Sequence, residues 1–184
     1  MNITVIGRGN IGGGLADLWE RAGHQVTRLG RDGGDAGAAE AVLLAVPGSA
    51  VEAALSSVVG LAGKTVLDAT NLYGGARPPA GLSSNAEYVK SVTGGPTAKA
   101  FSTNFASLYG RIADARVRPS NLWAGDDDAK DLVSRLSLDA GFEAVRMGDL
   151  SMAATQEGLT SAFFGIAQSG LGEFVYRMSS PEQL

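Results

Sequence analysis

The chain has 184 residues, 45% of them hydrophobic and 18% charged, and its 15 basic against 19 acidic side chains leave a net charge of −4. That is long enough to bury a core, too apolar for a disordered chain, and too acidic for general binding to nucleic acid or anionic membranes. With no cysteine and a single histidine, His24, disulfides, zinc–thiolate sites, thiol catalysis and histidine metal clusters are excluded, and a Ser–His pair is disfavoured.

The N-terminal segment has no basic region followed by a long apolar one, so no leader is expected and a cytoplasmic location is. Asn2–Ile6 predicts a buried strand, followed by a glycine-rich turn and an amphipathic helix on which Ile11, Leu15, Leu18, Trp19 and Ala22 recur at helical spacing. Gly23 predicts the left-handed stop, and Gln25–Leu29 a second strand. Residues 41–46 predict a wholly apolar strand, too short to span a bilayer and ended by Pro47. Residues 49–61 predict a helix opened by the pair Ser49 and Glu52, 65–69 a strand, and 84–92 a helix opened by Ser84 and Glu87. Strands are expected over 97–101, 121–124 and 142–146, with a helix over 126–140 capped by Asp126. A helix-like tail over 151–178 carries four glycines that each cost about 1 kcal/mol against alanine, so close packing on a partner surface is expected of it. Short apolar strands alternating with helices predict an α/β, Rossmann-like doubly wound fold: a mostly parallel sheet, helices on both faces and a C-terminal helical segment. Residues 1–148 then form a dinucleotide-binding unit and 149–184 a segment packed on it or on a second copy.

The turn Gly7-Arg8-Gly9-Asn10-Ile11-Gly12 follows a strand and opens a helix, the context in which a glycine pattern of this kind cradles a pyrophosphate. Gly7 permits the tight turn, Gly9 lets phosphate approach the backbone, and Gly12 lets helix and strand pack closely. The helix N-terminus adds N–H donors and a partial positive charge. At the end of the second strand, where NAD-binding chains place an acid, stand Gly30 and Arg31. An arginine there suits the 2′-phosphate of NADP, which guanidinium holds bidentately. Asp32 would serve NAD instead if the strand ran longer.

In family order, Val5–Gly12 (residues 5–12), Gly30-Arg31, Leu43-Leu44-Ala45-Val46-Pro47, Leu67-Asp68-Ala69-Thr70-Asn71, Ser84-Asn85-Ala86-Glu87, Lys99-Ala100-Phe101-Ser102-Thr103 and Ala124-Gly125-Asp126-Asp127 resemble the NADP oxidoreductases that use the deazaflavin coenzyme factor 420. The resemblance reaches to about Gly148. It implies that Arg8, Gly9, Asn10 and Ile11 wrap the pyrophosphate and that Gly30 and Arg31 receive the 2′-phosphate. It implies further that Val46 and Pro47 lie on the ribose and nicotinamide side, and that Asn71 and residues 100–103 flank the nicotinamide, where the acceptor stacks. Two departures stand out. Only residues 32–40 fill a gap that in the family holds a helix and a strand, so the sheet is expected to end at its second strand and begin 2-1-3-4-5. Ser102, followed by Thr103 and Asn104, replaces the family's asparagine in the acceptor pocket.

The remaining candidates read as structural. His24 suits a helix-ending turn, Asp126-Asp127-Asp128 a helix cap rather than a metal site, and Arg111, Arg116 and Arg118, near Asp114, a solvated loop or an anchor for an anionic acceptor tail. Tyr73 and Tyr109 are possible proton donors, while Phe163, Phe164 and Phe174 suit core or interface better than acceptor stacking. No nucleophile is evident, and hydride transfer needs none. The expectation is NADP-dependent hydride transfer to a deazaflavin- or flavin-like small molecule. Reduction of a small carbonyl or imine, and a non-catalytic NADPH sensor, are the alternatives. A homodimer built on the tail is expected, because Phe163, Phe164, Ile166, Leu171, Phe174 and Val175 exceed what one small sheet hides.

Overall fold

The computed structural model describes residues 1–73, 75–79, 81–112 and 115–183. The first strand, β1 (Asn2–Ile6), leads through the glycine turn into α1 (Asn10–Arg21), which buries Leu15, Leu18 and Trp19; β2 (Gln25–Leu29) follows. Gly23, at φ 90°, makes the stop between them. The short β3 (Gly34–Asp35), β4 (Ala41–Leu44), α2 (Val51–Ser56), the short β5 (Val58–Val59) and β6 (Val66–Asp68) come next. Then come α3 (Asn85–Thr93), β7 (Thr97–Ala100), α4 (Tyr109–Ile112), β8 (Ser120–Gly125), α5 (Lys130–Asp139), β9 (Glu143–Gly148) and α6 (Ala153–Ile166).

Seven strands form one sheet in the order β2-β1-β4-β6-β7-β8-β9, parallel except where β8 opposes β7, with Lys99 facing Ala124. The doubly wound architecture and the truncated edge at β2 are as the pattern predicted. Side chains alternate between two cores: Ile3, Val5 and Leu43 point to Trp19, Val133 and Leu136 under α1 and α5, whereas Ile6, Val42 and Leu44 meet Val51, Leu55 and Val89 under α2 and α3. The indole N–H of Trp19 donates to the Leu136 carbonyl at 2.9 Å and ties α1 to α5. Among the described residues no helix is long and apolar enough to cross a membrane.

Four local expectations need correction. The helix expected over 49–61 is a 3-10 turn at Gly48–Ala50 and only six residues of α2, with no side-chain cap from Ser49. Val58 and Val59 leave it to pair in parallel with Gly34 and Asp35, so the shortened 32–40 segment satisfies backbone groups through a ladder of its own. Asp126 does not cap a helix: its carboxylate accepts from the Thr97 N–H at 2.8 Å and from Lys90 at 2.7 Å. At α3 the expected cap does form, with Ser84 accepting from the Glu87 N–H and Glu87 returning to the Ser83 N–H. The tail is helical only to Ile166; a π turn follows, Gly170 at φ 116° and Gly172 at φ 74° end it, and an extended segment returns along β8, where the Ser120 N–H donates to the Tyr176 carbonyl at 2.8 Å.

Candidate functional site

The glycine turn is built around backbone contacts that admit no side chain. A Cβ on Gly7, which has φ 110°, would stand 2.2 Å from the Ala45 carbonyl, and one on Gly12 would stand 2.2 Å from the Gly7 carbonyl. Gly9 differs: a Cβ there would meet nothing within 4 Å. It starts α1 with no side-chain cap, so the first N–H groups of the helix face that open space. This is the geometry a diphosphate needs.

At the edge of the sheet, Arg8 folds back onto the end of β2. Its Nε and Nη2 donate to the Arg28 carbonyl at 3.3 and 2.9 Å, and its guanidinium carbon lies 3.3 Å from where a Cβ on Gly30 would stand. The side chain therefore sits against Gly30 and the Arg28 carbonyl. Arg31 and Asp32 are exposed in a turn closed by the Gly33 N–H donating to the Gly30 carbonyl at 3.2 Å. Arg28 points at α1, as alternation predicted, and pairs with Asp17 and Glu20 at 2.7 and 2.6 Å. Those two carboxylates hold its guanidinium pKa above its ordinary value.

At the carboxyl ends of β6 and β7, neighbours in the sheet, Asn71 and Ser102 meet: the Asn71 amide donates to the Ser102 carbonyl at 2.9 Å. The chain reaches Ser102 through Phe101, a left-handed residue at φ 61°, whose N–H donates to the buried Asn121 side chain at 2.9 Å. From α6, Gln156 donates to the Ser102 hydroxyl at 3.0 Å, and the Thr160 hydroxyl lies 3.3 Å from the Asn71 side-chain oxygen. Thr103 meets the Tyr176 hydroxyl at 2.6 Å, and the buried Asn104 amide nitrogen has no hydrogen-bond partner among the described residues. Beneath this surface lies an ion cluster that sequence reading missed. Lys99, wholly buried, contacts Asp68 at 3.0 Å, Glu157 at 2.7 Å and the Thr70 carbonyl. Its signal was present as Asp68 and Lys99, two charges in otherwise apolar strands.

These parts open on one cleft of about 600 Å³ that runs from Gly9, Asn10 and Ile11 past Val46 and Pro47 to Asn71 and residues 102–104. Its far wall is aromatic: Tyr73, Phe105, Phe163 and Phe164, with the Phe164 ring edge-on to both Tyr73 and Phe105 at centroid distances of 5.7 and 5.5 Å. Phe163 and Phe164 thus line the cleft, contrary to their expected place in core or interface, because α6 is carried across its mouth. Phe174, reached after the Gly172 break, stacks edge-on behind them. Tyr73 is about half exposed, and its partial burial raises the phenol above its ordinary pKa. Tyr109 lies elsewhere, buried against Gly14 and Phe142 with its hydroxyl unpartnered among the described residues.

Other candidates stay apart from the cleft. His24 is buried and bonded to Asp139 at 2.8 Å. Asp127 pairs with Arg146 at 2.6 Å. Arg116 and Arg118 line a separate hollow behind the C-terminal end of α1, with Arg21 and Arg177, so they cannot anchor a molecule in the cleft. Asp114 lies outside the described residues.

No protein-family model matches the chain, and no curated protein sequence does. Solved structures do. A protein of Arthrobacter sp. FB24, described provisionally as an F420-dependent NADP-reductase, superposes with a TM-score of 0.80 over 98% of this chain and 100% of its own, at 23% identity. A hypothetical protein of Sinorhizobium meliloti follows at 0.65 and 23% identity, over 84% of this chain and 88% of its own. A reductive aminase of Aspergillus terreus, solved with NADPH and ethyl levulinate, gives 0.66 at 18% identity over 91% of this chain; the chain spans 62% of the aminase. At these identities the likeness shows the fold, which is Rossmann-like.

Proposed function

We propose that the chain is an NADP(H)-dependent oxidoreductase that transfers hydride between the nicotinamide and a flat acceptor such as a deazaflavin or flavin. The observation that carries this is the single cleft leading from an open glycine turn, past Val46 and Pro47, to the paired Asn71 and Ser102 under aromatic walls. The residues fit the coenzyme. Gly7, Gly9 and Gly12 with the amides of Asn10 and Ile11 hold the diphosphate, and Arg8, Gly30 and Arg31 receive the 2′-phosphate. Asn71 orients the nicotinamide amide, and Ser102, Thr103 and Asn104 border the acceptor. Bound NADPH would supply the hydride; the chain aligns two rings and excludes water between them. The F420-linked description of the Arthrobacter neighbour and the NADPH held by the aminase support the reading.

An acceptor screen with NADPH and NADH, followed by nicotinamide absorbance, tests it: turnover with a deazaflavin or flavin is expected, and binding without turnover on any acceptor would leave a sensor. Reduction of a small imine or carbonyl is favoured by one feature, the Tyr73 phenol that lines the cleft. On that reading Tyr73→Phe lowers kcat at least tenfold, whereas flavin reduction changes little. The chain works as a homodimer through the tail, where Leu171, Val175, Met178 and Ile166 are 65%, 52%, 47% and 43% exposed. Light scattering at micromolar concentration should give twice the monomer mass; a monomer removes the dimer.

A further inference from the structure

The hydroxyl of Ser102 has a direction, and it is set from α6. Gln156, wholly buried on that helix, reaches both the Leu122 carbonyl and the Ser102 hydroxyl oxygen with a single side-chain atom, each at 3.0 Å. A backbone carbonyl only accepts, so the atom that faces Leu122 is the amide nitrogen. That nitrogen donates to Ser102 as well, and the serine oxygen accepts. The other end of the amide, Oε1, has no partner among the described residues, so nothing turns the group the other way. A serine oxygen that accepts from Gln156 still has its own hydrogen to give. Among the described residues no group takes it: Asn71 and Thr160 bond to the Ser102 carbonyl, not to its hydroxyl. Ser102 is only 3% exposed and lines the cleft, whereas Gln156 is not among the lining residues and holds it from behind. An unspent, buried donor therefore stands where the acceptor is placed by the hydride-transfer reading above.

We infer that the Ser102 hydroxyl is the hydrogen-bond donor to the acceptor and that Gln156 is the residue that positions it; the inference rests on that reading. The acceptor then presents a lone pair to Ser102: a carbonyl oxygen, or an unprotonated imine or ring nitrogen, bonded to or conjugated with the atom that receives hydride. Hydride transfer moves two electrons and one hydrogen nucleus from the reduced nicotinamide to the acceptor. The coenzyme is left oxidised, and one negative charge appears on the acceptor. Ser102 keeps its proton and donates to the atom where this charge gathers; water supplies the proton that later neutralises it. A donor aimed at developing charge stabilises the transition state more than the neutral ground state.

Riboflavin, with carbonyl oxygens and nitrogens on one ring system, serves as the probe. At saturating riboflavin, the anaerobic single-turnover rate of flavin bleaching by NADPH should fall about tenfold in Ser102→Ala. That is less than the loss of one donor to a localised oxyanion, because a ring spreads its charge. The riboflavin Kd, from flavin fluorescence with NADP⁺ present, should move less than about threefold. Gln156→Glu replaces the donor with a group that accepts from Ser102, draws the hydroxyl hydrogen away from the cleft and should show the same split. Added to Ser102→Ala, it should cost less than about twofold more, because its effect passes through the hydroxyl. If Gln156→Glu does not fold, Gln156→Met completes the same cycle. A Ser102→Ala rate equal to the parent's, or a Kd that weakens as much as the rate falls, overturns the inference. Additive losses in the double variant remove Gln156 as the positioning residue. The parent chain tells the failures apart: turnover that Ser102→Ala leaves intact removes the inference alone, while NADPH binding with no flavin bleaching removes the reading beneath it and the inference with it.

Discussion

At the scale of single residues, the proposed preference for NADPH rests on three residues, Arg8, Gly30 and Arg31. Gly30 leaves room for the Arg8 guanidinium, and a charge-assisted hydrogen bond from Arg31 to a 2′-phosphate contributes about 1.5–3 kcal/mol. Arg31→Ala should therefore weaken NADPH about ten- to a hundredfold and NADH little. Gly30→Asp should be worse than Arg31→Ala for NADPH, since it displaces Arg8 as well as repelling phosphate; titration of both coenzymes against both variants decides. Equal loss of both coenzymes in Arg31→Ala would make Arg31 structural and return the ribose to Asp32. The tight glycine turn was readable in the sequence because Gly7 and Gly12 have stereotyped local duties. The position of Arg8 was not, because a long side chain in a turn can reach the diphosphate or the strand end, and only the contacts with the Arg28 carbonyl and Gly30 decide.

Among elements, the strand–helix alternation was legible throughout, since apolar runs and helical spacing record burial directly. What escaped was whatever depended on distant partners. The six-residue α2 is cut short by pairing between β3 and β5, and the left-handed Phe101 at the end of β7 is held by Asn121 from β8, 20 residues away. Facing of the Asn71 and Ser102 loops was legible, because both motifs run from strand into loop on adjacent parallel strands. Asn121→Ala should expose the importance of the Phe101 turn. It strands the Phe101 N–H and removes the bond to the Ser137 hydroxyl, at a cost of about 1–3 kcal/mol, read as a Tm lower by roughly 3–10 °C. Lys99→Met should cost more, about 3–5 kcal/mol, because it leaves Asp68 and Glu157 without their cation. An unchanged denaturant midpoint would refute that.

Over the whole molecule, alkaline stability should be limited by buried phenols. Burial raises the pKa of Tyr109 and Tyr176 above the ordinary value near 10, so between the two values the native state keeps protons that the unfolded chain loses. Stability is then intact below about pH 10 and falls as pH rises beyond it. Tyr109→Phe removes an unpartnered hydroxyl and that source of alkaline loss, so it should melt no lower at pH 7 and visibly higher above pH 10. The reversal of β8 has a wider consequence. Because β8 and β9 run against the rest, the chain leaves β9 at the amino end of the parallel strands, and α6 must travel back to the cleft. The groups assigned to the coenzyme all lie before residue 105, and half of the aromatic wall, Phe163 and Phe164, follows residue 149. The tail thus supplies one wall of a cleft whose other side, from the glycine turn to Phe105, is complete before β8 begins. A chimera keeping residues 1–148, with Gln156, Glu157 and Thr160 retained in a foreign tail, should bind NADPH within about threefold of the parent while its preference among acceptors is redrawn.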